Sequence, residues 1–255
     1  MTQALAGRTV LVTRPQQQAV ALAQAIRAAG GTVFEFPALD IEAVPVEALS
    51  ASLAQLASAD IAIFISPSAA QFGMAAIRAA GSLLPATGVF AVGPGTARAL
   101  REQGVRQVIT PPGQDSEALL ALPQLQDVAG KRVVVVRGVG GRALLADTLR
   151  ARGAEVRFME CYRRKCPQAD ATPLLARWQA GGIDAVTVTS AETLRNLAAL
   201  LGEAGAPLLA ATPLFAPHEK IAEAARRFGI AHVIATPAGD AGLVDGLINW
   251  FRNTL

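Results

Sequence analysis

The sequence is short of the residues by which most active sites announce themselves. Across 255 residues it has two cysteines, Cys161 and Cys166, two histidines, His218 and His232, one tyrosine, Tyr162, and three lysines, Lys131, Lys165 and Lys220. Two cysteines make no disulfide framework, and without a histidine cluster they make no zinc site; their spacing is not a redox motif either, so reduced thiols are expected. With so few histidines, Ser–His and Cys–His nucleophile schemes lack a base, and no serine lies in a GxSxG elbow. Carboxylates are scarce where strands end, which leaves paired acid/base or metal catalysis without apparatus; no metal and no cofactor are expected. Gly93-Pro94-Gly95-Thr96 and the RGVGGR turn at 137–142 both miss the GxGxxG spacing, and no GxxxxGK[ST] occurs, so dinucleotide and ATP readings are weak.

Charge and hydropathy exclude two further classes. The formal charge is +3 and the pI about 9.3, but there are no Lys/Arg blocks of the kind that make a nucleic-acid arm. No apolar run is long enough to span a bilayer, and the start MTQALAGRTVLV lacks a charged end followed by an apolar signal core. A cytoplasmic protein with no nucleic-acid or membrane partner is expected.

What is present is a repeat. Val10 to Leu39, VLVTRPQQQAVALAQAIRAAGGTVFEFPAL, is rewritten in outline as Val133 to Tyr162, VVVVRGVGGRALLADTLRARGAEVRFMECY. Each copy is an apolar run ending in arginine (Arg14, Arg137), a turn residue, and an alanine/leucine-rich helix closed by glycine (Gly30, Gly153) before another strand. The match continues: AIFISPSAAQFGMAAI at 62–77 answers AVTVTSAETLRNLAAL at 185–200, with Ser66 opposite Ser190, and Pro94 falls opposite Pro217. An offset of roughly 123 to 126 residues held over four β-α units is a fold-level signal. With 52% hydrophobic residues, such a chain can bury two cores.

Periodicity predicts strands at 9–13, 32–36, 60–65, 89–92 and 107–110, with helices at 16–29, 46–57, 68–80, 96–103 and 116–121, the last capped by Asp115 or Ser116. A surface linker is expected at 123–130. The second copy then gives strands at 132–136, 155–159, 184–189, 213–216 and 231–235, with helices at 141–152, 171–180, 191–201, 218–228 and 240–252, Trp250 and Phe251 docking on the core. Alternating elements of this length demand parallel sheets covered by helices on both faces, so each half reads as a five-stranded doubly wound domain with a boundary near Gly130.

In such sheets ligands bind beyond the carboxyl ends of the strands, where free amides and helix dipoles favour anions. That rule selects Thr13, Arg14, Ser66, Ser68, Gly93 to Thr96 and Thr110 in the first half, and Arg137 to Gly141, Thr189, Ser190, Pro217, His218 and Thr236 in the second. Nearly every one is small, hydroxylic or cationic, as a polyanionic ligand requires; the same residues also serve as ordinary turns and caps. Tyr162, where the second copy leaves its strand at Glu160-Cys161-Tyr162-Arg163-Arg164-Lys165, stands out as the only tyrosine, with a plain packing role, its hydroxyl in water, as the alternative.

VLVTRP at 10–15, FISPSA at 64–69, FAVGPGTARAL at 90–100, VVVVRG at 133–138, ECYRR at 160–164 and VTVTSAETL at 186–194 together resemble the uroporphyrinogen-III synthase family over essentially the whole chain. One departure is PHEK at 217–220, where the family often has a glycine/threonine turn like that at 93–96. The resemblance implies an α/β fold of two doubly wound, flavodoxin-like parallel-sheet lobes that exchange their first units. Residues 1–38 with 167–255 would form one lobe and 42–160 the other, with 38–42 and 160–166 as a two-stranded connection. It implies a cofactor-free lyase acting on hydroxymethylbilane, a linear tetrapyrrole with eight carboxylates held in the cleft between the lobes. Tyr162 would be the donor for the leaving hydroxyl. Ser66, Ser68, Gly93, Gly95, Thr96, Arg137, Gly138, Ser190, Arg14 and His218 would hold acetate and propionate groups. A monomer in transient contact with the upstream deaminase is expected. Two other readings stand beside this one: a non-enzymatic bilobal ligand-binding module, and a sugar- or nucleotide-phosphate transferase, which would call for an acidic ribose or metal residue.

Overall fold

The computed structural model describes residues 3–85, 88–113, 115–141 and 143–253. The chain divides into two compact units, Met1–Asp40 with Lys165–Leu255, and Ile41–Arg164. Unit 1 contains β1 (Thr9–Val12), α1 (Gln16–Ala28) and β2 (Thr32–Glu35), then, after the excursion through unit 2, α7 (Thr172–Gln179), β8 (Ala185–Thr187), α8 (Ala191–Ala211), β9 (Leu214–Ala216), α9 (Glu219–Arg227), β10 (Val233–Ala235) and α10 (Gly239–Asn253). Unit 2 contains β3 (Asp40–Ala43, whose first residue is the last of unit 1), α2 (Ser50–Ala57), β4 (Ile61–Phe64), α3 (Pro67–Ala79), β5 (Val89–Ala91), α4 (Pro94–Glu102), α5 (Ser116–Leu120), β6 (Arg132–Gly138), α6 (Leu144–Ala151) and β7 (Glu155–Lys165, which ends on the first residue of the return to unit 1).

Each unit is built on one five-stranded sheet, β10-β9-β8-β1-β2 in unit 1 and β3-β7-β6-β4-β5 in unit 2. The repeats are therefore not two separate halves: β1 of the first copy, with β2 on its other side, pairs with the second copy's β8, while β6 of the second copy, with β7 on its other side, pairs with the first copy's β4, all in parallel. The same side chain fastens the junction in both units. Asp184, just before β8, accepts the Thr9 amide at 2.7 Å and pairs with Arg8, and Asp60, just before β4, accepts the Arg132 amide at 2.8 Å and pairs with the Arg132 side chain. That backbone hydrogen bond is the main reason the Asp60 carboxyl is held below the usual carboxylate range.

Alternation along the strands separates two cores per sheet. In β4 and β6, Ala62, Phe64, Val134 and Val136 face one cluster with Met74 and Leu100, while Ile61, Ile63, Val133 and Val135 face another with Leu125 and Leu149. In β1, Leu11 faces the cluster holding Trp178 and Leu197, and Val10 and Val12 face the one holding Leu22 and Phe251. Strands buried on both faces read as unbroken apolar runs, which is why TVLV and VVVV carry no polar alternation.

Several expectations are corrected. The boundary suggested near Gly130 falls inside unit 2. Residues 123–130 are no surface linker: Leu125 and Val128 are fully buried and Pro123–Leu125 forms a 3₁₀ turn. The strand expected at 107–110 contracts to a single bridge between Ile109 and Phe90, because Pro111 and Pro112 have no amide protons with which to extend it. The helix expected at 46–57 starts as a 3₁₀ turn after Pro45 and becomes α-helical at Ser50. The helix expected to end at 201 resumes beyond a break at Gly202 (φ 60°) and runs to Ala211; Gly202 and Pro207 disguise that continuation as loop. The helix expected from 141 begins at Leu144, and Arg142 lies outside the described residues. Among the described residues no helix is long and apolar enough to cross a membrane.

Candidate functional site

The arrangement around Tyr162 begins with a register shift. β6 and β7 pair residue for residue from Arg132↔Glu155 to Arg137↔Glu160, and then Gly138 pairs with Tyr162, leaving Cys161 as the extra residue of a bulge. The bulge turns Tyr162 onto the backbone of β6. A Cβ at position 138 would lie 2.5 Å from Tyr162 Cε2 and 2.6 Å from Cζ, so only glycine admits the ring there. Phe72 of α3 closes in from another side at a centroid distance of 5.7 Å, and the Arg164 guanidinium lies 5.9 Å from the ring centre. Tyr162 is 2% exposed. Its hydroxyl has a protein partner, Ser66 Oγ at 3.1 Å.

Ser66 is placed by α3. It is the N-cap residue, Pro67 occupies the first helical position, and Ser66 Oγ accepts the Ala69 amide at 3.0 Å. Ser68, one residue into the helix, is buried.

Beyond Tyr162 opens a pocket of about 330 Å³, bounded by Arg137 through Gly141, Phe158, Arg164 and apolar side chains including Ile65 and Val135. Arg137 is 5% exposed. Its Nε donates to Gly138 O at 3.1 Å and lies 3.6 Å from Glu160 Oε1, and its guanidinium sits 4.5 Å from the Phe158 ring centre. Gly141 packs on that guanidinium, where a Cβ would come within 2.8 Å of Nη2. The Gly140 amide points to the same Glu160 oxygen at 3.4 Å. A buried cation and a glycine-rich turn thus share one rim of the pocket, with Glu160 as their acidic neighbour.

The remaining candidates of unit 2 lie at the start of α4, beside α3. Gly93 is its extended N-cap, Pro94 opens the helix and Thr96 is buried. A Cβ on Gly95 would meet Pro67 at an ordinary 3.8 Å, so space alone does not require glycine there.

Unit 1 carries Arg14, Ser190 and His218. Ser190 caps α8 with nearly the backbone angles of Ser66 and accepts the Thr193 amide at 3.0 Å, but its hydroxyl's second partner is Thr193 Oγ1 at 2.8 Å. Arg14 is ion-paired with Asp240 in the first turn of α10. His218 occupies the N-cap position of α9, exposed and without a capping bond from its side chain.

The structure therefore brings Ser66, Arg137, Gly138 and Tyr162 together in unit 2. It adds Phe158 and Arg164, which the sequence reading did not select. Arg164 was detectable in principle, two residues beyond Tyr162 on the same strand and so on the same side; Phe158 gave no signal distinguishing it from core.

Cys161 is buried behind this group, its thiol near Ala69 O and Arg137 O, and burial pushes its pKa from 9.0 up to about 12. Cys166 is exposed. Alkylation of the native protein near pH 8 should modify Cys166 rapidly and Cys161 only after denaturant is added, as counted by mass spectrometry; two fast thiols would contradict the packing. Because the folded-state pKa of Cys161 is raised, its contribution to stability is complete below about pH 9 and is lost as pH rises toward 12.

Comparison with known proteins is specific. The family model described as uroporphyrinogen-III synthase HemD matches residues 20–245. The uroporphyrinogen-III synthase of Salmonella typhimurium is 39% identical over 192 residues, 74% of this chain and 78% of that protein, and the Escherichia coli protein of the same name is 37% identical over 196 residues, 76% and 80%. Among solved structures, a mutant uroporphyrinogen III synthase from Thermus thermophilus superposes with a TM-score of 0.67 at 22% identity, covering 98% of this chain and all of that one, which is a likeness of fold.

Proposed function

The chain belongs to the uroporphyrinogen-III synthase family, and from that premise we propose that it closes hydroxymethylbilane into uroporphyrinogen III with Tyr162 as the donor to the departing hydroxyl. Its activity is that of a cofactor-independent cyclising lyase of haem biosynthesis, and a non-enzymatic binding module is not favoured. In the reaction, loss of water from the hydroxymethyl end leaves an azafulvene cation. The cation attacks the substituted carbon of the last ring to give a spiro intermediate, whose fragmentation and reclosure invert that ring. Such chemistry asks for a proton donor at one oxygen and for a shape that disfavours direct closure, so positioning carries most of the work.

The observation that supports this reading is the Tyr162 hydroxyl, held 3.1 Å from Ser66 Oγ by a ring that borders the pocket. A phenol O–H has one proton to donate and an oxygen that can accept. The pocket's volume, near the low end of the ~300–1,000 Å³ usual for ligand sites, suits one pyrrole ring with its acid side chains rather than a whole tetrapyrrole. The glycine amides at 138–141, with Arg137 and Arg164, are groups that receive carboxylates. To the same task we assign Ser68, Gly93, Gly95 and Thr96 in unit 2 and Ser190 in unit 1. Arg14 and His218 belong to the same assignment, Arg14 with its Asp240 partner to displace. Since the substrate also closes unaided, the reading includes a cytoplasmic monomer that receives it in transient contact with the deaminase.

The test is purified protein supplied with enzymatically generated hydroxymethylbilane, followed by oxidation and separation of the type I and type III porphyrins. Type III without added cofactor or metal is expected. Only type I, the product of unaided closure, from a folded sample would refute the proposal.

A further inference from the structure

We propose that Ser66 is a positioning residue whose hydroxyl, fixed by the end of α3, aims the Tyr162 proton into the pocket and then supports the charge left on the phenolic oxygen. The inference rests on the reading of Tyr162 given above. Ser66 Oγ lies between two groups, the Ala69 amide at 3.0 Å and the Tyr162 hydroxyl at 3.1 Å. An amide only donates, so one acceptor direction of Oγ is already taken, while the hydroxyl keeps a single proton to give. Oγ also sits where the unpaired amides of α3 carry partial positive charge, which makes its O–H the better donor, and an oxygen that accepts a hydrogen bond donates more strongly. The Ser66 proton is thereby directed at Tyr162 Oη.

The consequence lies in the phenol's single proton. With Oη accepting from Ser66, that proton turns away from α3 and toward the pocket. The ring cannot swing to undo this, because the Gly138 backbone and Phe72 hold it. When the substrate's C–O bond breaks, its electron pair goes to oxygen, the Tyr162 proton moves to that oxygen and water leaves. The negative charge remaining on Oη is met by the Ser66 O–H, a charge-assisted bond stronger than the neutral one it replaces. The proton lost from the pyrrole carbon when the macrocycle closes returns to Tyr162, and the balance is restored. Ser190, with the same capping geometry, gives its second contact to Thr193 instead. The relay is therefore a property of this serine and not of capping serines in general.

The test separates capping from aiming. Ser66→Ala should lower kcat about tenfold and leave KM within about twofold. Ser66→Asp keeps an acceptor for the Ala69 amide, and so the α3 cap, but has no proton to give and sets a negative charge beside Oη. It should melt with the wild type yet lose at least as much kcat as the alanine variant, while Ser66→Thr recovers turnover relative to alanine. Wild-type kcat in Ser66→Asp, or a raised KM with unchanged kcat in Ser66→Ala, would overturn the proposal. If the alanine variant does not fold, the aspartate variant decides alone. Absence of type III product from the wild type would instead refute the cyclase reading beneath it.

Discussion

Gly138→Ala should cost roughly a hundredfold in turnover, the usual penalty when a reacting group is displaced by about an ångström, and about 1–3 kcal/mol in stability as an overpacked core substitution. The added methyl would stand 2.5 Å from Tyr162 Cε2, 2.6 Å from Cζ and 3.1 Å from Cδ2, so relief comes only by moving the ring. The ring has nowhere cheap to go: Phe72 packs on it, Cys161 anchors the bulge behind it, and its hydroxyl is tied to Ser66. Backbone strain is not the cause, since Gly138 is not among the glycines with positive φ. The check is kcat and KM on the folded fraction, with denaturant midpoints for stability. A second measurement isolates the contact. In a Tyr162→Ala background the added methyl meets no ring, so Gly138→Ala should lose most of its destabilisation, and a double-mutant cycle should return a coupling of about 1–3 kcal/mol. Additive losses would mean that the ring does not lie against Gly138 in solution.

That contact also shows how far the sequence carries the argument. Aligning the two copies places Gly138 opposite Pro15 and Tyr162 opposite Leu39, so the difference between the halves is legible in the sequence. The helix starts at Ser66 and Ser190 were readable for the same reason, a hydroxyl just past an apolar run. What the letters did not carry was the partner of each group. Ser66 and Tyr162 are 96 positions apart, and their meeting depends on β4 pairing with β6 of the other copy and on the bulge at Cys161, neither of which has a local signature. The exchange of strands is invisible to periodicity for a physical reason. Both copies write the same β-α units, so pairing β4 with β6 satisfies the same hydrophobic pattern as pairing it with β1. Asp60 and Asp184 each bind the amide that opens the neighbouring strand, but nothing in the sequence says which strand that is. Phe158 and Arg164 were passed over because a strand residue's role at a pocket is set by which face the sheet leaves open. Arg14 and Arg137, equivalent in the repeat, both prove to have acidic neighbours, Asp240 and Glu160, so their readiness for a substrate carboxylate is a matter of exchange between partners rather than of an open cation.

Tyr162→Phe should lower kcat about a hundredfold, at the lower end of the ~10²–10⁴ that a positioned proton donor contributes, with KM nearly unchanged. The asymmetry follows from when the hydrogen bond matters. In the proposed ground state the phenol would face a neutral hydroxyl, one polar contact among the many that would hold a polycarboxylate, so binding should scarcely register its loss. As the C–O bond lengthens, charge gathers on the departing oxygen and the same bond strengthens, so its removal falls on the transition state. Stability should drop by only ~0.5–1.5 kcal/mol, the net worth of the lost hydrogen bond to Ser66, because phenylalanine keeps the ring against Gly138 and Phe72. The reaction supplies its own control. Hydroxymethylbilane that is not captured closes unaided to type I, so a variant slowed at the first step should shift the product ratio toward type I at low enzyme and return to type III as enzyme is raised. A variant defective only in later ring inversion would release type I at any enzyme concentration. Unchanged kcat and an unchanged isomer ratio in Tyr162→Phe would remove the phenol from the mechanism and leave its bond to Ser66 a structural one.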